Sequence, residues 1–409
     1  MTPPVSTATI RPPPLLRPRG SNHVGMRQFN ERVVLQSIRQ NGSLPKADLA
    51  RLTGLTAQTI GLITTRLEDD DLLIRHSPVR GRIGQPSVPM ALNPDGAFSI
   101  GIKIGRRSAD WLLVDFTGHV RLRKTLPYPF PDAKTLLPAL RDNLNALRDE
   151  LGPLHSRLVG VGVAAPFQLG GWHRMLGLSD AQSNTWNEID LCAEVQGMTD
   201  LPVSFAKDTS AACVAELVAG RGRDLKSFLY LFVDTFVGGG LVINSHLHGG
   251  VNGNAGAVAS LPLKVIHGQC APEQLVSNAS LWELEQRFLS RGLDPTAAYD
   301  DRAMQAPFAD ETNAWVTHAA PALAHCVISG TAFLDLDAVV IDGSFCRPLL
   351  QHLIERTRES LDSYNWEGLW QTTLVAGSIG SDARALGGAL LPLHANFAPD
   401  RDLFLKLGV

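Results

Sequence analysis

From Phe98 onward the chain runs through one order of apolar and amphipathic segments and then repeats it, and this duplication restricts the fold more than any other feature. The runs FSIGIKIG (98–105), WLLVDF (111–116), LVGVGVAA (158–165), FLYLFVD (228–234), GLVINS (240–245) and DAVVIDG (337–343) are rich in β-branched and aromatic residues and bounded by turn formers. They predict strands. Segments 133–151, 208–220, 273–290, 311–331 and 347–361 carry apolar residues at helical spacing, which predicts helices. Hairpin strands, a helix and a further strand come twice over, so residues 94–409 are expected to form an α/β body of two similar halves.

The region before this body reads differently. Residues 1–22, with a PPP run and several arginines, predict a disordered arm. From Met26, Phe29, Val33, Leu35 and Ile38 fit one buried helix face that ends at Asn41-Gly42. A short helix from about Pro45 to Leu52, a Thr53-Gly54-Leu55 turn and a second helix from about Ala57 to Glu68 give a helix-turn-helix. Pro45 suits a first turn, Gly54 a sharp corner and Thr56 a cap. Ile60, Ile63 and Leu67 are expected to face inward, with Gln58, Thr59 and Thr64 outward, where short polar side chains can read base edges in a major groove. LLIRHSPVRGRIGQPSVPMALNP then alternates around Arg80-Gly81-Arg82-Ile83-Gly84, the pattern of a two-stranded wing with a basic tip.

Charge separates the two regions. Residues 1–93 hold 12 Lys and Arg against 6 Asp and Glu, and residues 94–409 hold 25 against 34. A basic front on an acidic body fits a DNA-reading head over residues 23–93 carried by a separate sensor or enzyme. Arg51, Arg66, Arg80 and Arg82 are the expected phosphate contacts, and Thr56 adds a polar group at the start of the recognition helix. One such helix reads few base pairs, so a homodimer, or a dimer of dimers, on a double-stranded operator is expected. No apolar run approaches the ~20 residues a membrane span needs, and the first thirty residues lack a signal core, which predicts a cytoplasmic protein. Five widely spaced cysteines without a CxxC pair point to neither a disulfide framework nor a Cys-rich zinc site.

Five segments in order carry a family resemblance: GRIGQPS, VGVGVAAPF, AKDTSAACVAELVAGRGRD, VGGGLVINSHLHGGVNGNAGAVASLPL and GSIGSDARALGGALLPLHANFAP. Over about residues 26 to 400 the chain resembles the ROK family of repressors and sugar kinases, in its NagC/XylR-type regulator branch. The resemblance implies a winged helix-turn-helix followed by an actin/hexokinase-like (ribonuclease H-like) two-lobed body. It also implies a repressor of carbohydrate-related genes with a sugar or sugar derivative as effector. A sugar kinase with an attached head, and a ligand-independent DNA-binding dimer, are the alternatives.

Several departures from the family pattern bear on chemistry. Where the family's kinases have Asp-x-Gly-Gly-Thr, this chain has Lys103-Ile104-Gly105-Arg106-Arg107. A lysine is no magnesium ligand and the arginines crowd a phosphate site, so no enzyme activity is expected. Arg106 and Arg107 suit either an anionic effector or a solvated hairpin tip. The family's Asn-Asp base segment is matched by Lys207-Asp208, and Asp208 fits both a sugar-hydroxyl acceptor and a helix N-cap. Val237-Gly238-Gly239-Gly240 is read as a tight turn. In the sugar-binding segment Gly250–Ser260, Ala257 stands for the family's Glu and Ser260 for its His, leaving Asn184, Asp208, Asn252 and Asn254 as polar ligand-binding candidates. Of the family's zinc motif only His267 and Cys270 remain, too few for a structural zinc. No metal and no cofactor are expected.

Overall fold

A computed structural model describes residues 23–78, 87–166, 169–171, 175–177, 179, 184–186, 188–264 and 272–399. The head begins with α1 (His23–Asn41), β1 (Ser43–Pro45), α2 (Lys46–Thr53) and α3 (Ala57–Asp69), followed by β2 (Leu73–Arg75) and β3 (Pro89–Leu92). Gly54 takes a left-handed φ of 70° at the corner between α2 and α3, a conformation glycine adopts without penalty. Thr56 caps α3, its Oγ1 accepting from the Thr59 amide at 3.2 Å. The three strands pair antiparallel in the order β1-β3-β2. β2 and β3 are thus the two strands of the expected wing, and its tip at Arg80–Gly84 lies outside the described residues.

Two expectations for the head need correction. Pro45 ends β1 and holds the N-cap position of α2 rather than its first turn. In α1, Val34 joins Leu35 and Ile38 in the core, while Phe29 and Val33 are half-buried. The single-face pattern fails because α1 buries a second face against the body. Arg32 is buried there and donates to the carbonyls of Ala395 and Ala398, each at 3.0 Å. A second tie comes from Arg157 of the body, which donates to Asp71 of the head at 2.7 Å and to Gly96 O at 3.1 Å.

The first lobe comprises β4 (Phe98–Ile104), β5 (Ser108–Asp115), β6 (Val120–Pro127), α4 (Ala133–Glu150), β7 (Leu158–Ala165), α5 (Leu191–Gln196) and β8 (Val203–Lys207). After α6 (Asp208–Ala219), the second lobe follows with β9 (Phe228–Val233), β10 (Gly238–Ile243), β11 (His246–Leu247), α7 (Val276–Ala279), α8 (Leu281–Ser290), α9 (Ala309–Leu334), β12 (Ala338–Gly343), α10 (Arg347–Leu361) and β13 (Thr373–Ala376). α11 (Ala383–Phe397) closes the fold. The two sheets have the same plan, β6-β5-β4-β7-β8 and β11-β10-β9-β12-β13. In each, three antiparallel strands are extended by two parallel ones. This is the duplicated α/β arrangement that the order of the runs predicts. The helix expected over 273–290 is divided into α7 and α8 because Ser280 is extended, with φ −91° and ψ 147°.

α11 ties the lobes together by unusually close packing. A Cβ on Gly387 would stand 1.7 Å from the Ala211 carbonyl of α6, and one on Gly162 of β7 would stand 1.8 Å from the carbonyl of Gly388. Only glycine lets these backbones meet. The α11 N-terminus therefore reaches the cleft between the lobes, while its C-terminal end holds Arg32 of the head. Among the described residues no helix is long and apolar enough to cross a membrane.

Candidate functional site

The first hairpin shapes the cleft. Lys103 and Asp110 are direct cross-strand partners in the β4–β5 register, and their side chains meet at 2.9 Å. The Lys103 ammonium also donates to Ser108 O at 3.2 Å and Ser108 Oγ at 2.7 Å, so the buried lysine folds over the hairpin's own tip. Gly105 is needed for this: a Cβ there would lie 2.6 Å from Lys103 Cε. Burial, and then Arg384 nearby, push the Lys103 pKa down, against Asp110 and Asp234, which raise it. Burial pushes the Asp110 carboxyl up, but the Lys103 charge and hydrogen bonds from Lys103, Thr125 and Ser108 outweigh it and hold it below its ordinary value.

Of the two arginines beside this pair, Arg106 is drawn in from solvent, and Arg107, though exposed, is tied across the cleft. Arg106 lies with its guanidinium 4.8 Å from the centre of the Phe236 ring and donates to Gly171 O at 3.3 Å. Arg107 reaches across the cleft to Glu285 of α8 at 3.0 Å, and Tyr299 donates to the other oxygen of that carboxylate at 2.5 Å. Burial raises the Glu285 pKa in spite of these partners. The hairpin tip is thus docked on the second lobe.

Two adjoining cavities share Arg106 as a common wall. The larger, of about 630 Å³, lies among Lys103, Asp110, Arg123, Asp234, Glu285 and Arg384. Each of its acids has a cation: Asp110 has Lys103, Glu285 has Arg107, Asp382 has Arg123, and Asp234 has Arg384. The Asp234 carboxyl is pushed up by burial, yet Arg384 and Lys103 hold it below its ordinary value. The smaller cavity, of about 310 Å³, is lined by Lys207, Asp208, Asn254, Ala257 and Ser260 among others.

Asp208 is the first residue of α6, with Lys207 at the N-cap position and no side-chain cap there. Its Oδ1 accepts from the Thr209 amide at 2.8 Å and its other oxygen is 3.9 Å from Arg384. One carboxylate thereby serves a helix N-terminus, where negative charge is favoured, and faces the small cavity. Lys207 crosses to the glycine-rich segment, donating to Ala255 O at 2.9 Å and toward Asn254 Oδ1 at 3.5 Å. Of the expected ligand-binding set, Asp208 and Asn254 come together here. Asn184 and Asn252 do not: both are exposed and neither lines this cavity. Asn252 sits between Gly250 and Gly253, which have φ of 74° and 70°, so turn geometry accounts for it.

The glycines of Val237–Gly240 are a further correction. Gly238, Gly239 and Gly240 belong to β10, paired with β9, and not to a turn. A Cβ on Gly240 would stand 2.6 Å from that of Cys213, so the small residue admits α6 against the sheet. His267 and Cys270 lie outside the described residues. Among the described residues no group of three or more His, Cys, Asp or Glu is placed to hold a metal.

In the head, Gln58 is exposed on α3 and Thr59 is half-buried beside the Thr56 hydroxyl, 2.9 Å away. Thr64 is a correction. It is fully buried and its hydroxyl donates to Ile60 O at 2.8 Å, so it cannot reach a base. Arg51 is exposed and bonds Asp48 at 3.0 Å, while Arg66 is ion-paired with the buried Glu31. Arg80 and Arg82 lie outside the described residues. Residues not singled out from sequence are Asp110, Asp234, Glu285 and Arg384. The signal for Arg384 was a cation inside the apolar run ARALGGALLPL.

The comparisons with known proteins agree with this architecture. The xylose repressor of Bacillus subtilis (strain 168) is 22% identical over 259 residues, covering 63% of this chain and 66% of that protein. The chain thus spans just under two thirds of that relative's length. The DNA-binding transcriptional dual regulator NagC of Escherichia coli (strain K12) is 21% identical over 300 residues, with 70% and 72% covered. Among solved structures, a ROK family transcriptional regulator described as a homolog of the E. coli MLC protein superposes with a TM-score of 0.67 at 20% identity. That match covers 91% of this chain and 97% of the other. A ROK family glucokinase from Streptomyces griseus, solved with glucose and AMPPNP, gives 0.57 at 20% identity, with 72% and 99% covered. At these identities the structural likeness speaks to fold alone. The ROK family model matches residues 99–395, the greater part of the chain, and the chain belongs to the ROK family.

Proposed function

We propose that the chain is a sequence-specific DNA-binding transcriptional regulator, a repressor of carbohydrate-related genes that a sugar or sugar derivative releases or modulates. The observation that carries this reading is the exposed α3 of a winged helix-turn-helix, set on a ROK body whose α11 runs from the cleft to the head. The names of the Bacillus and Escherichia relatives support it. Residues 23–93 are the DNA-binding head and 94–409 the sensor and dimerisation body, acting as a homodimer or dimer of dimers in the cytoplasm. Arg51, Gln58 and Thr59 face the operator, and Arg80 and Arg82 are the expected further phosphate contacts. Asp208 and Asn254 face the effector, whose binding shifts the chain between two states of different operator affinity.

The same reading makes the chain no kinase. Lys103 stands where a magnesium-nucleotide would need an oxygen ligand, and its ammonium is committed to Asp110 and to Ser108 of the hairpin tip. The residues present do not fit the metal. The test is a genome-wide map of bound sites, followed by operator release over a panel of pentoses, hexoses and their phosphates. Bound sites clustered beside carbohydrate genes, with release by one class of sugar, are expected. Absence of any preferred duplex overturns the reading, and sugar-dependent ATP turnover by the purified chain, lost in Asp208→Asn, replaces it with the kinase.

A further inference from the structure

The outward face of α3 carries an apolar side chain that packing does not explain. Leu62 is 62% exposed. It stands four residues after Gln58 and three before Thr65, so the three form one stripe along the helix. Gly61 beside it has nothing within 4 Å of the place a Cβ would occupy. Together with Lys46 these residues border an open depression on the head. Neither Gln58 nor Thr65 has a side-chain hydrogen bond among the described residues, whereas Thr64 is turned inward and satisfied by Ile60 O.

We infer that Leu62 seats against the 5-methyl group of a thymine in the operator's major groove, with Gln58 and Thr65 reading the base edges on either side. The inference rests on the DNA-binding reading of the head. A single exposed leucine is ordinary on a protein surface, but this one lies in a stripe of uncommitted polar groups and beside a residue with no side chain. A helix reading DNA must bring its backbone near the base edges, and Gly61 removes the side chain that would hold it off. The flanks fit a polyanion better than a second protein: Lys46 and Arg66 border the depression against one acid, Asp69, Arg51, paired with Asp48, is exposed on the neighbouring α2, and residues 1–93 carry twice as many basic as acidic side chains. In the major groove thymine is the base that offers a methyl group, and apolar side chains recognise it by contact.

The chemistry of thymine supplies the test. In an operator recovered from the bound-site map, each thymine of one half-site is replaced in turn by deoxyuridine, which deletes the methyl and leaves every hydrogen-bonding group. The dissociation constant of the full chain is then measured at fixed salt. Burial of one methyl-sized group corresponds to about a fourfold change in affinity, so one position should weaken binding by about that factor. Leu62→Ala should lose a similar factor on the unmodified operator and become indifferent to deoxyuridine at that position, with its melting curve unchanged. If no thymine in the half-site responds, or if Leu62→Ala responds as the wild type does, the inference is wrong while the DNA-binding reading stands. A chain that prefers no duplex at all overturns both, and the wild-type scan needs no variant to fold.

Discussion

The outward face of α3 and the cleft between the lobes treat their polar groups in opposite ways. On α3, Gln58 and Thr65 are uncommitted among the described residues and Leu62 stands in the open. In the cleft, each of the four acids around the larger cavity is matched by a cation: Lys103–Asp110, Arg107–Glu285, Arg123–Asp382 and Arg384–Asp234. Burying an ion costs several kcal/mol that its partner must offset, which binds the largely buried Lys103–Asp110 and Arg384–Asp234 pairs to each other, while the Arg107 and Arg123 pairs stay partly in solvent. A surface that grips an outside partner leaves its donors free; this cleft has turned most of its own to holding two lobes and a hairpin in register.

The sharpest break in that comparison comes from Arg384. Removing it in Arg384→Ala leaves Asp234 buried beside the Lys103–Asp110 pair without its own cation, and a broken buried pair costs about 3–5 kcal/mol. Urea unfolding should show that loss, and adding Asp234→Ala should return much of it, because the stranded charge is then gone. A neutral single variant would mean that the cleft charges are solvated, and the contrast with α3 would fail. Acid gives a second view of the same pairs. Asp110 and Asp234 are both held below the ordinary carboxyl value in the folded chain. A depressed carboxyl stabilises the fold fully above its unfolded pKa and loses that contribution as pH falls through the folded one. Stability should therefore fall as pH drops below about 4. In Lys103→Met the part of that slope due to Asp110 should shrink.

Asp208 is where the cleft most nearly resembles the open surface, since it both meets the Thr209 amide and faces the small cavity. Losing a charged acceptor costs about 1.5–3 kcal/mol, so Asp208→Ala should weaken effector-induced operator release by roughly ten- to a hundredfold. Operator binding without effector should be unchanged. If the variant melts early but releases at the wild-type effector concentration, Asp208 belongs to the helix terminus alone. On the other surface, Gln58→Ala should relax discrimination at one base pair by about 1–3 kcal/mol. Its melting temperature should match wild type, because the exposed side chain holds nothing else.

How much was legible in the sequence follows from how each residue is buried. The central strands could be read because both of their faces are covered: all seven residues of β4 and all six of β9 are buried, giving unbroken apolar runs. β6 gives no strand pattern in sequence because VRLRKTLP is an exposed edge strand with charged positions, and β13 is only four residues long. α11 carries a family segment but reads poorly as a helix, since Gly387, Gly388 and Pro392 are poor helix formers. Those glycines are there for close packing. In the site, the Lys103–Asp110 pair follows from the hairpin register alone. The Arg384–Asp234 pair joins residues distant in sequence, so nothing local could have matched them. Asn184 and Asn252 suit a sugar site by side-chain type alone, and type does not distinguish a ligand contact from a turn.

The smallest expected effects test the two faces of one helix, one residue apart. Ile60, Ile63, Thr64 and Leu67 stand at i, i+3, i+4 and i+7, the spacing of a single buried face, and all four are buried. The same spacing puts Thr64 on the inward face, so the outward place expected for it rests on its hydroxyl alone and is wrong. In Thr64→Val the shape is kept and the bond to Ile60 O is lost. A stability loss of about 1 kcal/mol or less is expected, because that carbonyl sits within the helix ladder, and base discrimination should be untouched. Thr65→Val on the exposed face should do the reverse, leaving the melting curve in place and changing the preference at one base pair, since only an outward hydroxyl can reach a base edge. Melting curves and a panel of single-base operator variants, run on both proteins, read the two effects side by side. Should Thr64→Val alter base preference while Thr65→Val does not, the helix lies on DNA with the opposite face, and the roles given to Gln58 and Leu62 fall with it.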